Sequence, residues 1–66
     1  MQQDTFGPQI YQHQQFLRAL AYKLTRHSED AEDLVQETFF KAIKNQTKYQ
    51  PGTNLRGWLY TILKNT

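Results

Sequence analysis

The sequence predicts an all-α domain, a compact bundle of three to four helices formed by a single chain of 66 residues. Apolar residues recur at three- and four-residue spacing in three segments, which is the period of one helix face. No segment alternates apolar and polar residues as a half-buried strand does. Because the chain contains no cysteine, its small core must consist of apolar side chains without disulfides or thiolate-bound zinc.

The first predicted helix lies near residues 8–26. Pro8 suits the first helical position, where the N–H that proline lacks has no helical partner. The apolar positions that follow share one face, and they are Ile10, Leu17, Leu20, Ala21 and Leu24. We expect this face to pack against the rest of the bundle.

The second predicted helix lies near residues 28–45. Ser28 suits the N-cap, and the acidic residues that follow it favour the positive end of the helix dipole. One apolar stripe runs along the helix, formed by Ala31, Leu34, Val35, Thr38, Ala42 and Ile43. The helix should end near Asn45.

A polar loop, "NQTKYQPGTN", separates the second helix from a third near residues 53–66. Pro51 and Gly52 predict a type II turn, because proline fixes φ and glycine accepts a positive φ. Thr53 or Asn54 can cap the third helix. Its apolar face consists of Leu55, Trp58, Leu59, Ile62 and Leu63. No glycine ends this helix, so we expect it to continue in a longer natural protein.

An acidic stripe lies on the second helix, formed by Asp33, Gln36, Glu37 and Phe40 at positions i, i+3, i+4 and i+7. A solvated helix face is the ordinary interpretation of such a charge run. Glu37, however, lies beyond the first turn, where the helix dipole acts, and Phe40 lies beside it. These two residues favour a protein partner with a basic surface.

A basic stripe lies on the third helix, where Arg56, Tyr60 and Lys64 recur every four residues with Thr61 and Asn65 alongside. Cations can contact phosphates, tyrosine can stack on an unpaired base, and threonine and asparagine can hydrogen-bond base edges. Ordinary helices also expose arginine and lysine, so this pattern alone leaves nucleic-acid binding and a plain solvated face both open.

Two further aromatic residues have alternative interpretations. Tyr49, in the polar loop, is either a plug over the small core or a platform on which a base stacks. Trp58 lies on the apolar face of the third helix, and this position favours the core.

Catalysis, metal binding and membrane insertion have no support in the sequence. His13 and His27 are far apart, and no serine or cysteine accompanies them in a triad pattern. The chain has neither a signal-peptide pattern nor a run of the roughly 20 apolar residues that span a bilayer. We therefore expect a cytoplasmic binding domain that is not an enzyme and has no metal, no cofactor, no small-molecule substrate and no membrane contact.

Two strings, "SEDAEDLVQETFFKAI" and "PGTNLRGWLYTILKNT", occur together and in order. They resemble region 2 of the bacterial sigma factors, specifically the extracytoplasmic-function (ECF) group of the sigma-70 family, and the resemblance covers about residues 10–66. It implies a domain without catalytic activity that joins core RNA polymerase and helps to open promoter DNA at the minus-ten element.

The resemblance implies a separate partner for each charged region. The beta-prime clamp helices of the polymerase would bind Asp33, Gln36 and Glu37, with Phe40 added by its place on the stripe. The non-template strand would bind Tyr49, Trp58, Tyr60 and Asn65, with Arg56, Thr61 and Lys64 added by helix geometry. In this hypothesis Tyr49, Tyr60 and Asn65 capture one unstacked base together.

The chain differs from primary sigma factors in one motif. Trp58 is followed by Leu59 where those factors have a second tryptophan, a difference typical of the ECF group. The helix-turn-helix domain that reads the minus-35 element is absent from these residues. An anti-sigma factor is a further expected partner, and a helical interaction module that binds it without DNA contact is one alternative. An unrelated helical nucleic-acid binder is the other.

Overall fold

The computed structural model describes residues 6–50 and 52–66, and the regular structure of these residues is entirely helical. It consists of α1 (Phe6–Tyr11), α2 (Gln14–Thr25), α3 (Ser28–Lys44), a 3-10 turn (Gln46–Lys48) and α4 (Leu55–Lys64). Helix α3 packs against the other three helices, and α4 also contacts α1 and α2. The all-α bundle predicted from the sequence is confirmed. Among the described residues, no helix has the length and hydropathy that a membrane span requires.

The core lies where the four helices meet. Its buried apolar residues are Ile10, Leu17, Ala21, Ala31, Val35, Phe39, Ala42, Leu59 and Leu63. Thr38 is also fully buried, and its hydroxyl donates a 2.7 Å hydrogen bond to the Leu34 carbonyl one turn earlier. Two residues assigned to apolar faces lie instead at the surface, because Leu24 is 59% exposed and Ile43 is 43% exposed.

The single helix expected near residues 8–26 is wrong, because the chain turns at Gln12 and His13 and forms α1 and α2 instead. The His13 N–H bonds the Ile10 carbonyl three residues back at 3.0 Å, and the His13 ψ of 12° departs from the helical range. The turn allows α1 and α2 to pack against different partners, because Phe6 of α1 lies against Trp58 of α4, whereas α2 packs mainly against α3.

The ends of α3 lie close to their predicted positions. His27 rather than Ser28 is the N-cap residue, and its side chain makes no capping hydrogen bond, so the first turn depends on the helix dipole acting on Glu29 and Asp30. Helix α3 ends at Lys44, as expected. The Asn45 side-chain amide donates to the Lys41 carbonyl at 2.9 Å, and the Asn45 backbone N–H donates to the same carbonyl at 2.9 Å.

Helix α4 begins with a side-chain cap. The Asn54 Oδ1 accepts a 3.1 Å hydrogen bond from the Gly57 N–H, which confirms Asn54 as one of the two predicted caps. The other candidate, Thr53, donates its hydroxyl to the Gln50 carbonyl at 2.6 Å. A Cβ on Gly57 would lie 2.7 Å from the Asn54 Nδ2, so this cap requires glycine at position 57. Gly52 has the positive φ (89°) that the predicted turn requires, whereas Pro51 lies outside the described residues.

Candidate functional site

The acidic stripe lies on the exposed side of α3. Asp33, Gln36, Glu37 and Phe40 are all exposed, and Phe40 is the most exposed large apolar residue among those described, at 66%. Within the described part of the chain, Asp33 and Glu37 have no side-chain hydrogen bond and no ion pair. The structure therefore brings together all four residues predicted for this surface.

The neighbouring acid Glu32 is held within the domain. Arg18 of α2 donates from Nε and Nη2 to the two carboxylate oxygens of Glu32, each at 2.9 Å. Both side chains are 47% exposed, so this bidentate pair contributes less than about 1 kcal/mol to stability. The pair links α2 to α3 and engages the Glu32 carboxylate, whereas Asp33 one position later is exposed and has no such partner among the described residues.

An aromatic group joins the loop to α1 and α4. The Tyr49 ring centroid lies 5.1 Å from that of Trp58 and 5.9 Å from that of Phe6, and all three rings are partly buried. The Tyr49 hydroxyl donates to the Thr53 carbonyl at 2.9 Å. Trp58 and Phe6 pack against the core, whereas Tyr49 packs on these two rings, and each ring keeps part of its surface exposed. Sequence reasoning missed Phe6, because nothing near it in the chain indicates this long-range contact.

The basic stripe follows the exposed side of α4. The Arg56 guanidinium carbon lies 3.9 Å from the ring centroid of Phe16 on α2, a cation–π contact between two helices. Tyr60 is 39% exposed, and the Lys64 ammonium lies 5.5 Å from its ring centroid. The three predicted residues do share this side of α4, although Arg56 is also engaged with α2.

Thr61 and Asn65 differ in the hydrogen bonds that they can still form. The Thr61 hydroxyl donates to the Gly57 carbonyl at 3.0 Å, so only its acceptor lone pairs remain for a ligand. Asn65 is the C-cap residue of α4 and is exposed, and within the described residues its side-chain amide makes no hydrogen bond. Asn65 therefore keeps both its donor and its acceptor groups available.

The structure places the two predicted stacking tyrosines in different groups. Tyr49 packs on Trp58, whereas Tyr60 lies in a groove between α2 and α4. Trp58 and Tyr60 are two positions apart, about 200° around the helix axis, so their side chains leave α4 in nearly opposite directions. The structure therefore does not bring the two tyrosine rings into the single pocket expected from the sequence. The same groove includes Lys23 of α2, which sequence reasoning missed because its signal is a lone exposed lysine.

The segment that carries both stripes matches a known family. The sequence model of the Sigma-70 region 2 family matches residues 10–66. The chain belongs to this family. This sigma region 2 domain is 51% identical over 49 residues to the ECF RNA polymerase sigma factor EcfG of Rhodopseudomonas palustris (strain TIE-1), which covers 74% of the chain and 27% of that relative.

Other relatives are also RNA polymerase sigma factors. The ECF RNA polymerase sigma factor SigE of Mycolicibacterium smegmatis (strain ATCC 700084 / mc(2)155) is 45% identical over 56 residues, covering 85% of the chain and 21% of SigE. RNA polymerase sigma factor CarQ of Myxococcus xanthus is 35% identical over 63 residues, covering 96% of the chain and 36% of CarQ. The chain therefore spans about a quarter of the length of EcfG and SigE, 27% and 21%. It is region 2 of an ECF sigma factor, as the two sequence strings predicted.

Proposed function

We propose that this domain acts in transcription initiation by binding two partners on two surfaces. The acidic stripe binds the clamp helices of the polymerase beta-prime subunit. The basic stripe and the aromatic group bind the non-template strand of the promoter minus-ten element and help to separate it from its complement. The domain itself catalyses no reaction and acts where the polymerase acts, in the cytoplasm, and an anti-sigma factor competes for its surfaces.

The exposed, unpaired state of the acidic stripe is the observation that carries this proposal. Asp33 and Glu37 have no partner within the described residues, whereas Glu32 beside them is bound by Arg18. Carboxylates that flank an exposed aromatic residue complement a surface of basic and apolar side chains, because charge orients the approach and the ring supplies buried area. We therefore expect the clamp helices to present basic and apolar side chains to this stripe.

The DNA-binding surface is supported by the chemistry of α4 and the loop. Arg56 and Lys64 supply exposed cations for phosphates, and the partly exposed rings of Tyr49 and Tyr60 supply stacking surfaces. A base leaves its stack at a cost of a few kcal/mol, and one stacked aromatic ring returns about 1–3 kcal/mol. The free amide of Asn65 can then discriminate among bases by their edges.

The test is a charge reversal with a matched control on the same helix. Asp33→Lys with Glu37→Lys reverses the stripe, and Glu29→Lys with Asp30→Lys makes the same charge change on exposed acids of the first turn. Binding to a clamp-helix fragment, followed by fluorescence anisotropy, should be abolished in the stripe variant and retained in the control. Circular dichroism melting should show that both variants are folded, since exposed substitutions usually change stability by less than about 0.5 kcal/mol and an acid lost from the first turn costs about 0.3–1 kcal/mol.

Two outcomes would contradict parts of the proposal. Equal weakening by both variants would mean that overall charge, rather than the stripe, attracts the polymerase. Failure of the unmodified domain to bind a single-stranded minus-ten oligonucleotide, while it still binds the clamp helices, would favour an interaction module without DNA contact.

A further inference from the structure

A groove lies between the C-terminal halves of α2 and α4. Its lining consists of Leu20, Lys23 and Leu24 from α2 with Tyr60 and Lys64 from α4. Two of these five residues are lysines, and none is acidic. The two ammonium groups come from different helices, so the groove is cationic because of the tertiary fold and not because of a local run of bases.

The interior of the groove offers apolar surface beside these charges. Leu24 is 59% exposed and Tyr60 is 39% exposed, although the sequence assigned Leu24 to the core. The Lys64 ammonium lies 5.5 Å from the Tyr60 ring centroid, so a cation and a stacking ring are within the span of one nucleotide. Lys23 has no ion pair and no hydrogen bond from its side chain within the described residues, and its charge is free for a ligand.

We infer that Lys23 and this groove extend the single-strand path from α4 onto α2, with Lys23 and Lys64 contacting phosphates on either side of a base that stacks on Tyr60. The inference rests on the proposed function. A nucleic acid strand is the occupant that the groove favours, because the groove is continuous with the basic stripe through Tyr60 and Lys64. A strand also supplies both phosphates for the cations and a planar base for the ring.

Lys23 has a matched control in the same molecule. Lys23 lies in the last turn of α2, and Lys44 lies in the last turn of α3, outside the groove lining. Both lysines are exposed, so Lys23→Gln and Lys44→Gln remove the same charge from equivalent helix positions. Lys64→Gln tests the shared phosphate contact on α4, and Lys23→Arg keeps the charge.

The experiment measures the affinity for a single-stranded minus-ten oligonucleotide at several salt concentrations by fluorescence anisotropy. Each phosphate contact that is lost should reduce the slope of log affinity against log salt by about 0.7. We expect this reduction for Lys23→Gln and Lys64→Gln, no change for Lys44→Gln, and the original slope for Lys23→Arg.

The remaining outcomes separate this inference from the proposed function. If Lys64→Gln reduces the slope and Lys23→Gln does not, the strand does not reach α2 and the inference is overturned while DNA binding by α4 stands. If Lys23→Gln and Lys44→Gln reduce the slope equally, the effect is that of net charge and the inference is also overturned. If the unmodified domain does not bind the oligonucleotide at all, both this inference and the proposed binding of DNA by the domain are wrong.

Discussion

Two surfaces of the domain differ in how many contacts their side chains make within it. One is the acidic stripe of α3, and the other is the aromatic and basic surface of the loop and α4. Asp33, Glu37 and Phe40 extend from a regular helix and have little contact with the rest of the domain. On the other surface, Tyr49 packs on Trp58 and donates to a backbone carbonyl, and Arg56 lies over Phe16.

Substitutions in the acidic stripe should therefore change the affinity for a partner without changing the free energy of unfolding. Substitutions in the loop and α4 should change both. Side chains that make no internal contact can be changed without affecting the folded state, so the acidic stripe can be adjusted to its partner alone. In the loop and α4, the side chains proposed to bind DNA also make contacts within the domain. A substitution there should change both the free energy of unfolding and the affinity for DNA.

Substitution of Tyr49 should have the largest effect on stability. Tyr49→Ala removes a partly buried ring, so we expect the free energy of unfolding to fall by about 2 kcal/mol, below the 3–5 kcal/mol typical of a fully buried ring. In a domain of this size that corresponds to a melting temperature lower by roughly 10 °C. Below that temperature, affinity for a minus-ten single strand should also fall, while binding to the clamp helices is unchanged.

The control for Tyr49 is the phenylalanine variant. Tyr49→Phe keeps the ring and loses only the hydrogen bond to the Thr53 carbonyl, which should cost about 1 kcal/mol. Its DNA affinity should stay close to the original. If Tyr49→Ala destabilises the domain and leaves DNA affinity untouched, Tyr49 is a plug over the core and has no part in stacking.

Substitution of Arg56 should also change both stability and DNA binding, with a smaller change in stability than substitution of Tyr49. Arg56→Gln removes the cation–π contact with Phe16, which contributes about 0.5–1 kcal/mol at an exposed site. It should also reduce the salt slope of single-strand binding by roughly 0.7. Arg56→Lys keeps the charge and should retain the slope while it loses planar stacking. A stability change without any change of slope would assign Arg56 to the fold alone.

Phe40 should have the smallest effect on stability. Phe40→Ser replaces a ring that is 66% exposed, and the free energy of unfolding should change by less than about 0.5 kcal/mol. Affinity for the clamp helices should nevertheless fall by about tenfold or more if the ring is a central anchor of that interface. Tyr22→Ser, at a 52% exposed ring on α2, is the matched control and should leave this affinity unchanged. A loss of stability in Phe40→Ser comparable to that of Tyr49→Ala would remove the distinction between the two surfaces.

The sequence predicted the features that depend on local periodicity and capping. The extent of α3, the Asn54 cap and the exposure of the acidic stripe all follow from residues within a few positions of one another. Leu24 and Ile43 fit the same periodicity and lie near helix ends, yet both are exposed, so periodicity alone does not show where the packed part of a helix face stops.

Contacts between segments that are distant in the chain could not be predicted from local sequence patterns. Neither the turn at His13 nor the partners Phe6 and Phe16 could be inferred, since each depends on where α1 and α2 lie relative to α4. The meeting of Lys23 and Lys64 in one groove is of the same kind, because 41 positions separate them (64 − 23 = 41). Periodicity therefore identified the surfaces of single helices, whereas the groove formed by residues of two helices required the tertiary structure.

The cap of α4 has an evolutionary consequence. Asn54 reaches back over the first turn, and a Cβ at position 57 would lie 2.7 Å from its amide nitrogen and 3.2 Å from its Cγ. A side chain at position 57 therefore requires the Asn54 amide to shift, while a shorter residue at position 54 removes this clash. The two positions should vary together, so a lineage that gains a side chain at position 57 is expected to change the residue at position 54 as well.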